Sequence, residues 1–303
     1  MAQGEIKLPY GLRNGELLHI SNVKPGLDCG CVCPGCGQQL IAKKGPQKAE
    51  HFAHYEADEC AGALESALHL AAKSVLENAG RISLPAVRAE FSRTLHIELS
   101  GNRSYKIDSI KSETKLGNII PDLTLDIGGH KLLVEMLVTH GIDEEKLAQI
   151  RKLKVSVLEV DLSSAPRDLP LDSISKLVVD NLENKRWVNN ERANKLRNEL
   201  RALATPRRVE MLTDPELNRW GKRSLVGVNG CPELTRRRNG RVTGVWKQDC
   251  VYCKFRVGVQ DEPFEWHEDH DIFCIGDHPC ALDEYKLGPI GFRSKVLGSW
   301  EDY

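Results

Sequence analysis

The sequence predicts a mixed fold of the α+β or α/β class, with a Cys-rich, metal-stabilised segment near each end. Three observations carry that expectation. A run of apolar residues at helical spacing precedes a series of strand-like runs. Two of those runs flank a Gly-Gly pair, as the arms of a hairpin do. Eight of the ten cysteines fall into two clusters, or all ten if Cys60 and Cys231 are counted as outliers of those clusters.

Residues 1–60 are rich in Gly and Cys and read as a loop-dominated N-terminal zinc-binding segment. Leu64, Leu68, Ala71, Ala72, Val75 and Leu76 then recur at helical spacing over 61–78, and Gly80 supplies the stop. Strand-like runs follow at 82–91, 94–99 and 105–113. The hairpin spans 119–138, 143–153 reads as a short helix, and 154–162 as a buried strand. Two prolines in 163–170 mark a boundary. Beyond it, 171–203 reads as largely helical and charged, and from 225 Cys, Gly, Arg and aromatic residues dominate. The expected domains are therefore 1–60, a helix-and-strand domain over 61–165, a charged helical connector over 166–224 and a Cys/His-rich ribbon-like unit over 225–303.

The hairpin carries the chemistry. With Gly128-Gly129 as the turn, Ile127 faces His130, Asp126 faces Lys131, Leu125 faces Leu132 and Asp122 faces Glu135. Directly opposed side chains have Cβ atoms roughly 4.5–5.5 Å apart, where like charges are unfavourable. A shared divalent cation is the most economical way to offset that repulsion.

The cysteine clusters have metal-ligand spacing. Cys33-Pro-Gly-Cys36 is a Cys-x-x-Cys knuckle, followed by His51-Phe-Ala-His54. Two thiolates and two imidazoles complete a tetrahedral zinc set of structural type. Both rings converge if the histidines lie on a helix, and Cys29 or Cys31 could replace a ligand. A second zinc site is expected from Cys231, Cys250, Cys253 and Cys274, with Cys280 or His278 competing for the fourth place and His267 and His270 nearby.

The formal net charge is −1, so charge balance alone names no polyanionic partner. Its distribution does more. From residue 181 to 241 there are fifteen Lys/Arg against seven Asp/Glu, a surplus of eight. Such a stretch is either a solvated helix face or a nucleic-acid footprint. No signal-like segment and no membrane-length apolar run is evident, so a cytoplasmic protein is expected.

Glu65, His69 and Lys73 form one polar stripe at i, i+4, i+8 on the first helix. Glu65 with Asp122 and Glu135 gives three oxygen donors of the kind hard cations such as Mg²⁺ and Mn²⁺ take. Together, Cys33-x-x-Cys36, His51-Phe-Ala-His54, Glu65-Ser-Ala-Leu-His69 with Lys73, Pro121-Asp122 and Val134-Glu135 resemble the competence protein CoiA family over roughly residues 25–165. That resemblance implies an N-terminal zinc-binding segment and a restriction-endonuclease-like, PD-(D/E)xK nuclease domain. It implies Asp122 and Glu135 as metal ligands, Glu65 as the supporting carboxylate, a possible carbonyl ligand from Met136, and DNA as the partner. One position departs: the motif's lysine, two residues after the second acid, is Leu137 here. Leucine cannot neutralise a developing oxyanion. Lys73 is the expected replacement catalytic cation, with His69 and His140 behind it. The alternative is a non-catalytic DNA-binding or recombination-accessory protein on a decayed nuclease scaffold.

Overall fold

The computed structural model describes residues 7–58, 60, 62–91, 96–139, 141–212, 225–232, 237–238, 241–245, 250, 253, 255–259 and 271–277. The chain divides into two compact units, Met1–Pro85 with Asn102–Asn189, and Ala86–Gly101 with Asn190–Tyr303.

The first unit begins with two short hairpins, β1 (Tyr10–Arg13) with β2 (Glu16–His19) and β3 (Leu40–Lys43) with β4 (His51–His54). Helix α1 (Ala63–Ala79) follows and stops at Gly80, whose φ of 63° is the left-handed conformation glycine adopts without penalty. Next comes β5 (Arg81–Leu84). The chain then contributes the hairpin β6 (Val87–Glu90) with β7 (His96–Ser100) to the second unit, and returns with β8 (Arg103–Lys106), which pairs with β5.

The main sheet is built from β9 (Ser109–Ser112), β10 (Leu123–Ile127), β11 (His130–Leu137), β12 (Ser156–Asp161) and β13 (Lys185–Asn189), in spatial order β13-β12-β11-β10-β9. The β10–β11 register is the expected one, Ile127 against His130, Asp126 against Lys131 and Leu125 against Leu132. Gly128 and Gly129 both have positive φ, 60° and 79°, as this two-residue turn demands. Helix α2 (Glu144–Leu153) then carries the chain to β12, which runs parallel to β11. The order helix, antiparallel strands, helix, strand is the one the sequence predicts; the parallel direction of β12 is set by the structure.

Alternation divides the side chains between the two faces. Leu123, Leu125, Val134, Leu158 and Val160 pack with Leu68, Ala71 and Leu76 of α1. Leu133 and Val157 pack with Ile150 of α2 and with Ile119 and Val155. Each fully buried Leu or Ile contributes about 1.5–3 kcal/mol by leaving water, so the two helices are fixed to their faces by this burial. Tyr10, Leu40 and Phe52 belong to the same apolar cluster as α1 and the sheet, so the segment before residue 60 has no core separate from the helix-and-strand domain.

The stretch 171–203 is not continuously helical. Helix α3 (Leu171–Ser175) runs into a wider turn over Lys176–Asp180, and β13 follows as an edge strand on β12. Helix α4 (Glu191–Leu203) then starts in the second unit, its first turn capped by the Asn190 side chain accepting from Ala193 N. The charged periodicity of this stretch hid β13, which is held by pairing with β12 rather than by an alternating pattern of its own.

The second unit adds β14 (Thr205–Leu212), β15 (Leu225–Asn229), β16 (Arg237–Arg238), β17 (Arg241–Val245), β18 (Arg256–Val259) and β19 (Asp271–Cys274), in spatial order β16-β17-β15-β14-β19-β18. The expected connector 166–224 thus supplies a central strand of this sheet. Arg201 of α4 stacks 4.1 Å over the Phe273 ring. Among the described residues no helix is long and apolar enough to cross a membrane.

Candidate functional site

Four soft ligands meet at the N-terminal knuckle. Cys33 N donates to Gln38 O and Gly37 N to Cys33 O, which folds the Cys33–Cys36 segment into a tight turn. The β3–β4 register sets His54 opposite Leu40, just past that turn. Cys60 comes from the chain entering α1. The ligand atoms of Cys33, Cys36, His54 and Cys60 all lie within 4.8 Å of one another. Cys36 Sγ is 3.3 Å from His54 Nε2, and Cys33 Sγ is 3.7 Å from Cys60 Sγ. The second distance fits the edge of a tetrahedron whose Zn–S bonds are about 2.3 Å. Three thiols and one imidazole therefore fit a structural zinc ion.

His51 is not in this group, which corrects the expected ligand set. The two histidines lie on a strand, where side chains alternate and residues three apart point to opposite faces. His51 Nδ1 lies 2.8 Å from Ala49 O instead. The fourth ligand is Cys60, whose kinship with the cluster the sequence hinted at only through cysteine count. Cys29 and Cys31 are buried and point their thiols at Leu40 O and Cys29 O. The Gln38 N–H, with help from neighbouring thiols and His54, brings the Cys36 thiol down to about 7. Burial and hydrogen bonds with its neighbouring thiols push Cys60 up to about 12. Metal binding releases protons from groups held in this way.

The second expected zinc set is not among the groups of this kind formed by the described residues. Cys33, Cys36, His54 and Cys60 are the one such group of three or more His, Cys, Asp or Glu ligand atoms among the described residues. Cys253 N donates to Cys250 O in a turn, Cys231 follows β15, and Cys274 ends β19. The Cys274 thiol is raised, first by burial, with Cys231 contributing. His140, His267, His270, His278 and Cys280 lie outside the described residues.

Asp122 and Glu135 meet at the end of the hairpin. Leu123 pairs with Val134 at the end of the ladder; Asp122 precedes it by one residue, and its charge reaches Glu135. Asp122 Oδ2 accepts from Met136 N at 2.8 Å and lies 2.9 Å from His69 Nε2 of α1. Burial acts to raise the Asp122 carboxyl, but His69 and the Met136 N–H outweigh it and hold it below the ordinary carboxylate range. Glu135 behaves oppositely. It is 8% exposed, and burial raises its carboxyl despite an ion pair to Lys146 Nζ at 2.8 Å; Asp122 adds to the rise. Its other oxygen, Oε1, is buried without a hydrogen-bond partner among the described residues.

Lys146 escaped the sequence reading. It is the third residue of α2, and its backbone N–H donates to the capping carboxylate of Asp143 at 2.7 Å. The cap fixes the helix start, and the start aims Lys146 at Glu135. An Asp three residues before a Lys at a helix start was the available signal, but only the β11–α2–β12 crossover shows what that Lys faces. Lys73, the expected replacement, is buried and paired with Glu113, although its charge still reaches Asp122. Glu65 lies half-buried in the first turn of α1, one turn before His69. Leu137 is confirmed at the end of β11, paired with Asp161.

Residues 27–63 match the family model described as Competence protein CoiA, N-terminal domain. The match spans the knuckle, both histidines of β4 and Cys60, and it upholds over this segment the likeness read from the sequence. No curated protein matches the chain. No solved structure matches it either.

Proposed function

We propose that this chain, CoiA-like through residues 27–63, is a competence-related DNA-processing protein whose first unit is a metal-dependent, restriction-endonuclease-like nuclease. The observation that carries the reading is the paired acids: Asp122 tied to Met136 N–H and His69, next to a buried Glu135 with one oxygen unclaimed. Such an oxygen-donor set fits Mg²⁺ or Mn²⁺. A bound ion of this kind lowers the pKa of its water and polarises a phosphate.

The chain's own residues do the rest. His69 and the Met136 N–H hold Asp122 in one orientation. Glu65, on the same helix as His69, is the supporting carboxylate. Lys146 takes the part that Leu137 leaves open: its ammonium, already at Glu135, neutralises charge that develops on a phosphate oxygen. The basic stretch 181–241 contacts the nucleic-acid backbone, an interaction that weakens steeply as salt rises. DNA rather than RNA follows from the family likeness alone.

Cleavage of plasmid and single-stranded DNA with Mg²⁺ or Mn²⁺ tests the reading. The parent protein cleaves; Asp122→Ala and Glu135→Ala do not, yet both still bind DNA. A parent inert with every divalent metal supports the second reading, a non-catalytic recombination accessory, which Leu137 favours.

A further inference from the structure

Glu135 has a twin on the neighbouring strand. In the parallel β11–β12 register Glu135 pairs with Glu159, and in the antiparallel β12–β13 register Glu159 pairs with Arg186. Residues paired in register project to the same face of a sheet. Glu135, Glu159 and Arg186 therefore form one charged row across β11, β12 and β13, and Asp122 precedes β10 next to Glu135.

The two glutamates have the same pattern of satisfaction. Glu135 Oε2 is held by Lys146, and its Oε1 is buried without a partner. Glu159 is 1% exposed; its Oε1 accepts from Arg186 Nε at 2.6 Å, and its Oε2 is buried without a partner among the described residues. Buried polar atoms in folded proteins are nearly always satisfied, and an orphan signals a strained group or a bound ion or water. Two orphaned carboxylate oxygens on adjacent strands, each beside an already neutralised partner oxygen, call for a cation between their elements. The position of the Glu159 orphan agrees. A Cβ on Gly141 would lie 3.5 Å from Glu159 Oε2 and 3.7 Å from Leu137 Cδ1. The free oxygen thus lies on the side of residue 137, where leucine brings no ammonium to it.

We propose that Glu159 is a third carboxylate of the cation site, binding a divalent, oxygen-preferring ion together with Glu135. The proposal rests on the reading that Asp122 and Glu135 hold such an ion, and it adds a carboxylate of β12 to those of the hairpin. Glu159→Gln keeps the side-chain shape and an oxygen for Arg186, and replaces the other oxygen and the charge by an amide NH2.

Titration of Mn²⁺ alone into the full-length, zinc-replete chain, followed by calorimetry and by the spin signal of free Mn²⁺, decides it. The parent binds, Glu135→Gln abolishes binding, and Glu159→Gln weakens it at least tenfold while its metal-free melting stays close to the parent's. Should Glu159→Gln fail to fold, Glu159→Asp, which withdraws the same charge by one methylene, shows the same weakening. Equal binding by the parent and the Glu159 variant, with Glu135→Gln still defective, overturns this inference and leaves the hairpin site standing. A parent that binds no Mn²⁺ overturns both.

Discussion

Cys33, Cys36, His54 and Cys60 come together as four ligands that need an ion to share, whereas Asp122 and Glu135 come together with His69 and Lys146 already in place. The thiol cluster is formed by segments of little regular structure, and a tetrahedral metal is what would hold them. Glu135 sits on a buried strand of the main sheet with Asp122 just before its neighbour, and their charges are partly neutralised by the protein itself. The first group fits a structural metal; under the proposed function, an ion at the second would be exchangeable. The difference also fixes donor type: sulfur and imidazole select zinc, and carboxylate oxygen selects Mg²⁺ or Mn²⁺.

The largest effect that could break this contrast comes from removing zinc. Binding to sets of this kind is worth on the order of 10 kcal/mol. Chelation, or Cys60→Ser, is expected to lower the melting temperature by about 10 °C or more, with loss of one zinc equivalent by elemental analysis. Stripping Mg²⁺ from the same protein should leave melting nearly unchanged. If both metals stabilise equally, the division into structural and exchangeable sites is wrong.

Asp122→Ala comes next. It removes the acceptor for Met136 N–H and the partner of His69, costing about 1–3 kcal/mol, and under the proposed function it is expected to abolish cleavage. Lys146→Met sharpens the account of the missing motif lysine. It leaves Glu135 buried and unpaired, and it should lower the cleavage rate roughly 10²-fold, whereas Lys73→Met lowers it by less than about tenfold by the same reasoning. Equal losses would return the role to Lys73.

The two acids also predict opposite pH trends. The Asp122 carboxyl is depressed, so its stabilisation is present above the ordinary aspartate pKa of about 4 and is lost as pH falls through its lower folded value. The Glu135 carboxyl is raised, so its burial penalty is present when it is ionised and is relieved as pH falls through its folded value. In melting scans against pH, Asp122→Asn should draw closer to the parent on acidification, and Glu135→Gln should fall behind it. Smallest of all is His51→Ala, which should change neither zinc content nor cleavage, since His51 stands outside the ligand group.

Legibility followed the range of the forces involved. The hairpin register was readable because Gly128-Gly129 and the alternation around it are local and mutually reinforcing. The ends of α1 and α2 were readable from Gly80 and Asp143 for the same reason. The third thiol, Cys60, was not, because His51 and Cys60 compete on spacing alone and only the strand conformation of 51–54 rejects one of them. Strand β13 was missed because a charged edge strand borrows its geometry from the neighbour it pairs with.

The sequence by itself determined that two acids oppose each other across a turn and that a Cys-x-x-Cys knuckle needs partners, because turn chemistry and side-chain alternation act over a few residues. Only the tertiary structure decided that Lys146 rather than Lys73 stands at Glu135, and that Glu159 lies beside it. Those choices depend on which helix covers which face of the sheet and which strand runs alongside β11. Both are settled by burying apolar side chains distant in the chain, such as Ile150 against Leu133 and Val157.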